Sequence, residues 1–90
     1  MNRYALLGTY DTRNNVEVIA FSDDVKHLER IRTAIHNLNH LLTDRDRDEI
    51  PDKAWHIINT ELNDIDIHDE QTDYVHEIEI DGIIELNGNF

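Results

Sequence analysis

Three carboxylates alternate with apolar residues near the C-terminus: Glu77, Glu79 and Asp81. On a strand, alternate side chains point to one side and lie about 6.6 Å apart. That spacing is similar to the distance between successive phosphates on a DNA strand, which exceeds the axial rise of ~3.4 Å because the strand winds around the helix axis. Such a row can occupy a groove of Lys and Arg that binds nucleic acid. The same alternation is typical of the solvent-facing side of any half-buried strand.

Further acidic residues precede this row in the sequence. Asp64 and Asp66 alternate with isoleucines, which predicts a neighbouring strand that would widen the row into a patch. We therefore predict a partner-binding patch of eight carboxylates: Asp64, Asp66, Asp69, Glu70, Asp73, Glu77, Glu79 and Asp81.

The charge of the chain is strongly segregated. Residues 1–42 carry five acidic and five basic residues, whereas residues 43–90 carry fifteen acidic and three basic residues and account for the whole net charge of −12. Such a field repels nucleic acid and anionic membranes and steers basic partners toward the acidic half. Acidity that serves only solubility is the competing explanation.

Metal binding has little support in the sequence. A calcium loop beginning at Asp64 would place Asp69 where glycine is needed and Val75 where a bidentate glutamate is needed. His36 and His40 are four residues apart on a predicted helix, but they lie on its solvent face without a further ligand nearby. A metal-dependent enzyme built on residues 64–73 therefore ranks last among the hypotheses.

Nucleophilic catalysis is equally unsupported. The chain has no cysteine, a single serine (Ser22) that suits a helix cap, and three glycines that form no phosphate-binding loop. The sequence predicts a protein that is not an enzyme and needs no cofactor.

The N-terminal half predicts a hairpin followed by a helix. Tyr4–Tyr10 and Val16–Phe21 are predicted strands, joined by polar turn residues. Apolar residues at steps of three and four predict a helix over Asp23–Leu42, capped by Ser22 or Asp23. Residues 43–49 are predicted to form a solvated connector or the exposed start of the next helix.

The C-terminal half predicts a second helix over Asp52–Leu62, with Pro51 in a first helical position. A strand over Trp55–Leu62 is the alternative. The alternation over Tyr74–Asp81 predicts a strand, and Asp81-Gly82 predicts a two-residue turn. A short strand would then return over Ile83–Leu86, and residues 87–89 would form a frayed tail.

Together these elements predict one α+β domain over residues 1–90. We expect an antiparallel sheet of three to five strands, two helices packed on one of its faces and the element order ββααβ(β). The other face would be partly open to water. The lack of cysteine, of a signal peptide and of any apolar run of ~20 residues predicts a cytoplasmic protein without a membrane segment.

In length, lack of cysteine, net charge and the Glu77-x-Glu79-x-Asp81 row, the chain resembles small acidic phage proteins that act against bacterial defences. This class includes anti-CRISPR proteins and DNA mimics. The resemblance rests on no diagnostic motif, and the charge-balanced first half departs from the most acidic mimics. It implies a phage protein in the host cytoplasm that acts by steric and electrostatic blockade without catalysis.

The functional hypothesis is an inhibitor whose acidic half blocks the nucleic-acid-binding surface of a basic protein, such as a defence nuclease. Such a protein would bind no nucleic acid directly. The alternative is a homodimeric structural or regulatory module, similar in role to an antitoxin or immunity protein, paired through an exposed sheet edge or helix stripe.

Overall fold

The structure is a computed structural model that describes residues 3–42 and 49–86. Residues 43–48 of the predicted connector and the predicted tail at 87–89 lie outside the described residues. The elements, in chain order, are β1 (Tyr4–Tyr10), β2 (Glu17–Ser22), α1 (Val25–Leu42), α2 (Asp52–Thr60), β3 (His68–Asp69), β4 (Tyr74–Val75) and β5 (Ile78–Glu85).

The main sheet has three antiparallel strands in the order β2-β1-β5. The N-terminal strand is therefore central, and the last strand returns to pair beside it. A separate two-stranded sheet contains β3 and β4. The α+β class is confirmed. The element order differs in detail from the predicted ββααβ(β), because two short strands, β3 and β4, lie between α2 and the last strand and form a sheet of their own.

α1 begins at Val25, two residues later than predicted, because Asp24 caps it. The Asp24 carboxylate accepts a hydrogen bond from the Lys26 N–H at 2.9 Å, which satisfies one of the unpaired donors at the helix start. Ser22 instead accepts a bond from the N–H of Asp24 at 3.0 Å. The helix contacts all three strands of the main sheet and buries the predicted stripe: Leu28, Ile31, Ala34, Ile35, Leu38 and Leu42.

α2 packs against α1. Pro51 lies in extended conformation just before the helix, not within it, and the helix ends at Thr60. Its inward residues Ala54 and Ile58 are buried. The structure does not confirm the prediction that both helices pack on the sheet, since it is α1 that contacts the three strands.

The predicted turn at Asp81-Gly82 is wrong, because β5 continues through both residues to Glu85. Gly8 of β1 pairs with Ile80, and Leu7 pairs with Gly82, so Asp81 is an extra residue in a β-bulge. Gly82 has a φ of 153°, a conformation that side chains rarely adopt. Pairing along the whole of β1 outweighs the local turn preference.

The predicted strands over residues 64–81 are also partly wrong. Residues 61–66 form turns, so Asp64 and Asp66 are not in a strand beside the acidic row. The alternating segment from Tyr74 divides into β4 and β5, which belong to different sheets. Asp69 and Asp73 lie at the β3–β4 hairpin, where local turn bonds compete with a continuous strand.

In the described part of the chain, neither helix combines the length and the apolar character that crossing a bilayer requires.

Candidate partner-binding surface

One face of the main sheet lies away from the helices, and we call it the open face. Residues paired across antiparallel strands point to the same side, so the pairs Leu6–Ala20 and Leu6–Ile83 lie on the core side. Ala5, Phe21 and Ile84 form the next row, on the open face. Ala5 has no exposed surface, although it lies on the open face, because Phe21 and Ile84 flank it on both sides.

Two bulges determine which residues reach the open face. Asp81 in β5 and Ile19 in β2 are each left without a register partner in β1. Each bulge shifts the alternation by one residue. Ile19 and Ile83 consequently pack against the core, while Val18 and Ile84 are exposed.

The predicted row of Glu77, Glu79 and Asp81, hereafter the acidic row, is exposed in its entirety. The intervening Ile78 is buried and Ile80 is half-buried against the core, as the alternation predicts. The Thr9 hydroxyl donates a 2.9 Å hydrogen bond to the Asp81 carboxylate. Glu79 and Asp81 thus lie on β5, with Asp81 held by the neighbouring strand, whereas Glu77 immediately precedes β5.

The acidic row borders a groove of about 600 Å³ between β5 and α1. Arg32 and His36 of α1 line the helix side of this groove. Asn39 of α1 donates a hydrogen bond from Nδ2 to the Ile78 carbonyl at 3.0 Å and holds this edge of the sheet to the helix.

None of the other five predicted carboxylates lies on β5. Asp64 and Asp66 are exposed in the turns that follow α2, and Glu70 is exposed in the β3–β4 hairpin. Asp66 lies near Tyr10: burial raises the pKa of the Tyr10 phenol, and the charge of Asp66 raises it further.

Asp69 and Asp73 have structural roles in the hairpin. The Asp69 carboxylate accepts the Gln71 N–H at 2.9 Å, and this bond, with others from Thr72, lowers the pKa of Asp69. Asp73 has a φ of 57°, a left-handed conformation that aspartate tolerates. Its carboxylate lies 3.4 Å from Nε2 of His68, whose ring meets Trp55 edge-to-face at 4.8 Å. These two carboxylates therefore stabilise the turn.

Asp11 is the centre of a polar cluster that the sequence did not indicate. Its carboxylate accepts the Tyr74 hydroxyl at 2.6 Å and lies 3.2 Å from Nδ1 of His76. The His76 ring meets the rings of Tyr10 and Tyr74 edge-on. Burial alone would raise the pKa of Asp11, but the bonds from Tyr74, the Glu77 backbone and His76 outweigh burial and lower it.

The cluster escaped prediction because its members are 63 and 65 residues apart. Asp11 follows a predicted strand within a run of turn residues, which explains its residue type locally. The exposed apolar residues of the open face were missed for a related reason, since bulges and the side chosen by α1 are not visible in the alternation.

Across residues 3–42 and 49–86, no group of three or more histidine, aspartate or glutamate side chains is arranged to hold a metal ion. His36 lines the groove beside β5. Comparisons of the chain with protein-family models, with curated proteins and with solved structures found no match.

Proposed function

We propose that this protein is a non-catalytic inhibitor that blocks a basic surface of a partner with its acidic row. The partner class is a nuclease or another protein that handles nucleic acid, as for the phage anti-defence proteins that the chain resembles. The observation that carries the proposal is the exposure of Glu79 and Asp81 on β5 together with Glu77, which immediately precedes that strand. A strand held in the sheet presents its charges without a large ordering cost on binding.

The charge distribution supports the same function. The net charge of −12 arises after residue 42, in the part of the chain that includes the row. Its field accelerates encounter with a basic surface and opposes binding to nucleic acid or anionic lipid. Hydrogen bonds lower the pKa of Asp11 and that of Asp69. A general acid or base at neutral pH requires a pKa near the working pH, so neither of these two carboxylates is suited to that role.

The test begins with affinity capture from a bacterial host lysate, identification of the retained protein and a nuclease assay with the purified partner. The triple variant Glu77→Gln, Glu79→Gln and Asp81→Asn removes the charge of the row and keeps the side-chain shapes. The matched control Glu29→Gln, Glu49→Gln and Glu61→Gln removes three exposed charges elsewhere.

We expect the row variant to bind about 10- to 100-fold more weakly, from about 0.5–1 kcal/mol for each exposed charge pair. It should also show a shallower dependence of affinity on salt, while the control stays within about threefold of the wild type. Equal affinity of the row variant and the wild type would contradict the proposal.

A homodimeric module is the second candidate, because β2 and β5 are the outer strands of the main sheet. Outer strands can pair with a second copy through their free edges. The charges of the row oppose pairing through β5, so β2 is the edge that this candidate would use. A molecular mass that doubles between low and high micromolar concentration, without any partner, would support it.

A further inference from the structure

Three of the four exposed large apolar side chains of the described residues lie on the open face, and the fourth, Val16, immediately precedes β2. Val16, Val18, Phe21 and Ile84 are 58%, 44%, 52% and 44% exposed, respectively. Val18 and Phe21 lie on β2, Ile84 lies across β1 from Phe21, and Val16 precedes Val18 by one alternation. We call these four residues the apolar patch. Single exposed apolar residues are ordinary, but a group on one face is typical of a binding surface.

The patch is a consequence of the two bulges. Without the bulge at Asp81, the alternation from Ile78 and Ile80 would place Ile84 on the core side and Ile83 on the open face. The bulge at Ile19 likewise separates Val18 from Phe21 by three residues and still leaves both on the open face. Irregularities in both outer strands thus maintain apolar contact area where the helices provide no cover.

Charge on the same face distinguishes between possible occupants. Glu79 pairs with Thr9 and Asp81 bonds to it, so both carboxylates lie on the open face beside the patch. Alternation along β1 places Arg3 at the opposite end of this face. A second copy would bring two chains of −12 together and, with parallel strands, would set the carboxylates against each other. A basic partner with an apolar anchor satisfies both the patch and the carboxylates.

We propose that the apolar patch is the docking centre for a basic protein segment that presents an aromatic or aliphatic side chain between lysines or arginines. The proposal rests on the proposed function for the sign of the partner's charge, and it adds the site where most of the affinity arises. Apolar anchors at the centre of an interface dominate binding energy, whereas charges at the rim govern encounter and salt dependence. The anchor would lie against Phe21 and Ile84, and its flanking cations would meet Glu79 and Asp81.

The test uses two synthetic 12-residue peptides with the same number of lysines, one with tryptophan and leucine between them and the other with glycine and serine. Affinities for the full chain are measured by NMR titration at two salt concentrations. We expect the tryptophan–leucine peptide to bind at least tenfold more tightly, with amide shifts around Phe21 and Ile84. Phe21→Thr and Ile84→Thr should each abolish this difference, and Ile57→Thr, which changes a half-buried isoleucine of α2 away from the open face, is the apolar control with its own measured stability.

The row variant separates this inference from the proposed function. It should weaken both peptides equally and flatten the salt dependence, while the tenfold preference remains. If the preference is present but the row variant has no effect, the proposed function fails and the patch stands. Equal binding of both peptides to the wild type would overturn the inference. It would also be overturned by a preference that survives Phe21→Thr, or by a dimer that Phe21→Thr or Arg3→Gln dissociates.

Discussion

The hydrogen bonds of Asp11 join the turn after β1 to the segment that leads into β5, so Asp11→Asn should destabilise the fold. Each hydrogen bond to a charged group contributes about 1.5–3 kcal/mol when buried. The Asp11 side chain is 22% exposed, and asparagine still accepts the Tyr74 hydroxyl bond, so we expect a loss of about 1.5 kcal/mol. For a domain of this size, that loss lowers the melting temperature by roughly 6–12 °C.

The stabilisation that Asp11 provides should depend on pH. The pKa of Asp11 is lower in the folded state than its ordinary value, so ionised Asp11 stabilises the fold above about pH 4. That stabilisation is lost as the pH falls through the folded-state pKa. In urea unfolding, the difference between the wild type and Asp11→Asn should be constant from pH 7 to pH 5 and should shrink toward pH 3.

Tyr74→Phe provides the second arm of a double-mutant cycle, in which we expect a coupling of about 1 kcal/mol with Asp11→Asn. Asp64→Asn, which removes an exposed carboxylate from a turn, is the control and should change stability by less than about 0.5 kcal/mol. A loss below 0.5 kcal/mol for Asp11→Asn at pH 7, or a difference that grows in acid, would refute this account of the cluster.

Three further predictions concern the framework that carries the open face. Gly8→Ala should lower the free energy of unfolding by about 1–3 kcal/mol, because the added Cβ would lie 2.9 Å from Cγ2 of Ile78 and 3.0 Å from the Glu79 carbonyl oxygen. Thermal unfolding measures this loss, and an unchanged melting temperature would contradict the close approach of β5 to Gly8. Leu38→Ala should cost about 2–5 kcal/mol in urea unfolding, because this fully buried side chain belongs to the core under α1, whereas a loss below 1 kcal/mol would indicate that the helix does not pack as described. Asp24→Ala should lower the free energy of unfolding by about 0.5–2 kcal/mol and Asp23→Ala by less, because Asp24 is the residue that caps α1. Thermal unfolding followed by circular dichroism compares the two variants, and a larger loss for Asp23→Ala would show that Asp23 is the cap.

The elements specified by local pattern were predicted from the sequence. β1 was predicted with its observed bounds, and α1 ends at Leu42 as its stripe indicated. These segments have a single period along their length, and that period matches the side on which each is buried. The exposure of the acidic row follows from the same alternation, because Ile78 and Ile80 are drawn to the core and leave the carboxylates in water.

Long-range pairing decided the remainder. Asp81-Gly82 has the composition of a hairpin turn, yet it forms a bulge because β1 offers hydrogen-bond partners on both sides of it. Asp11 has the composition of a turn residue, and its bonds come from residues more than sixty positions away.

The sequence by itself determined the net charge, its concentration after residue 42, and which segments have the apolar period of a strand or of a helix. These properties depend only on composition and on residues close together in the chain. Only the tertiary structure decided which sheet face α1 covers and how the bulges place Phe21 and Ile84 on the other face. Those outcomes depend on burial against distant segments, whose free energy no local pattern contains.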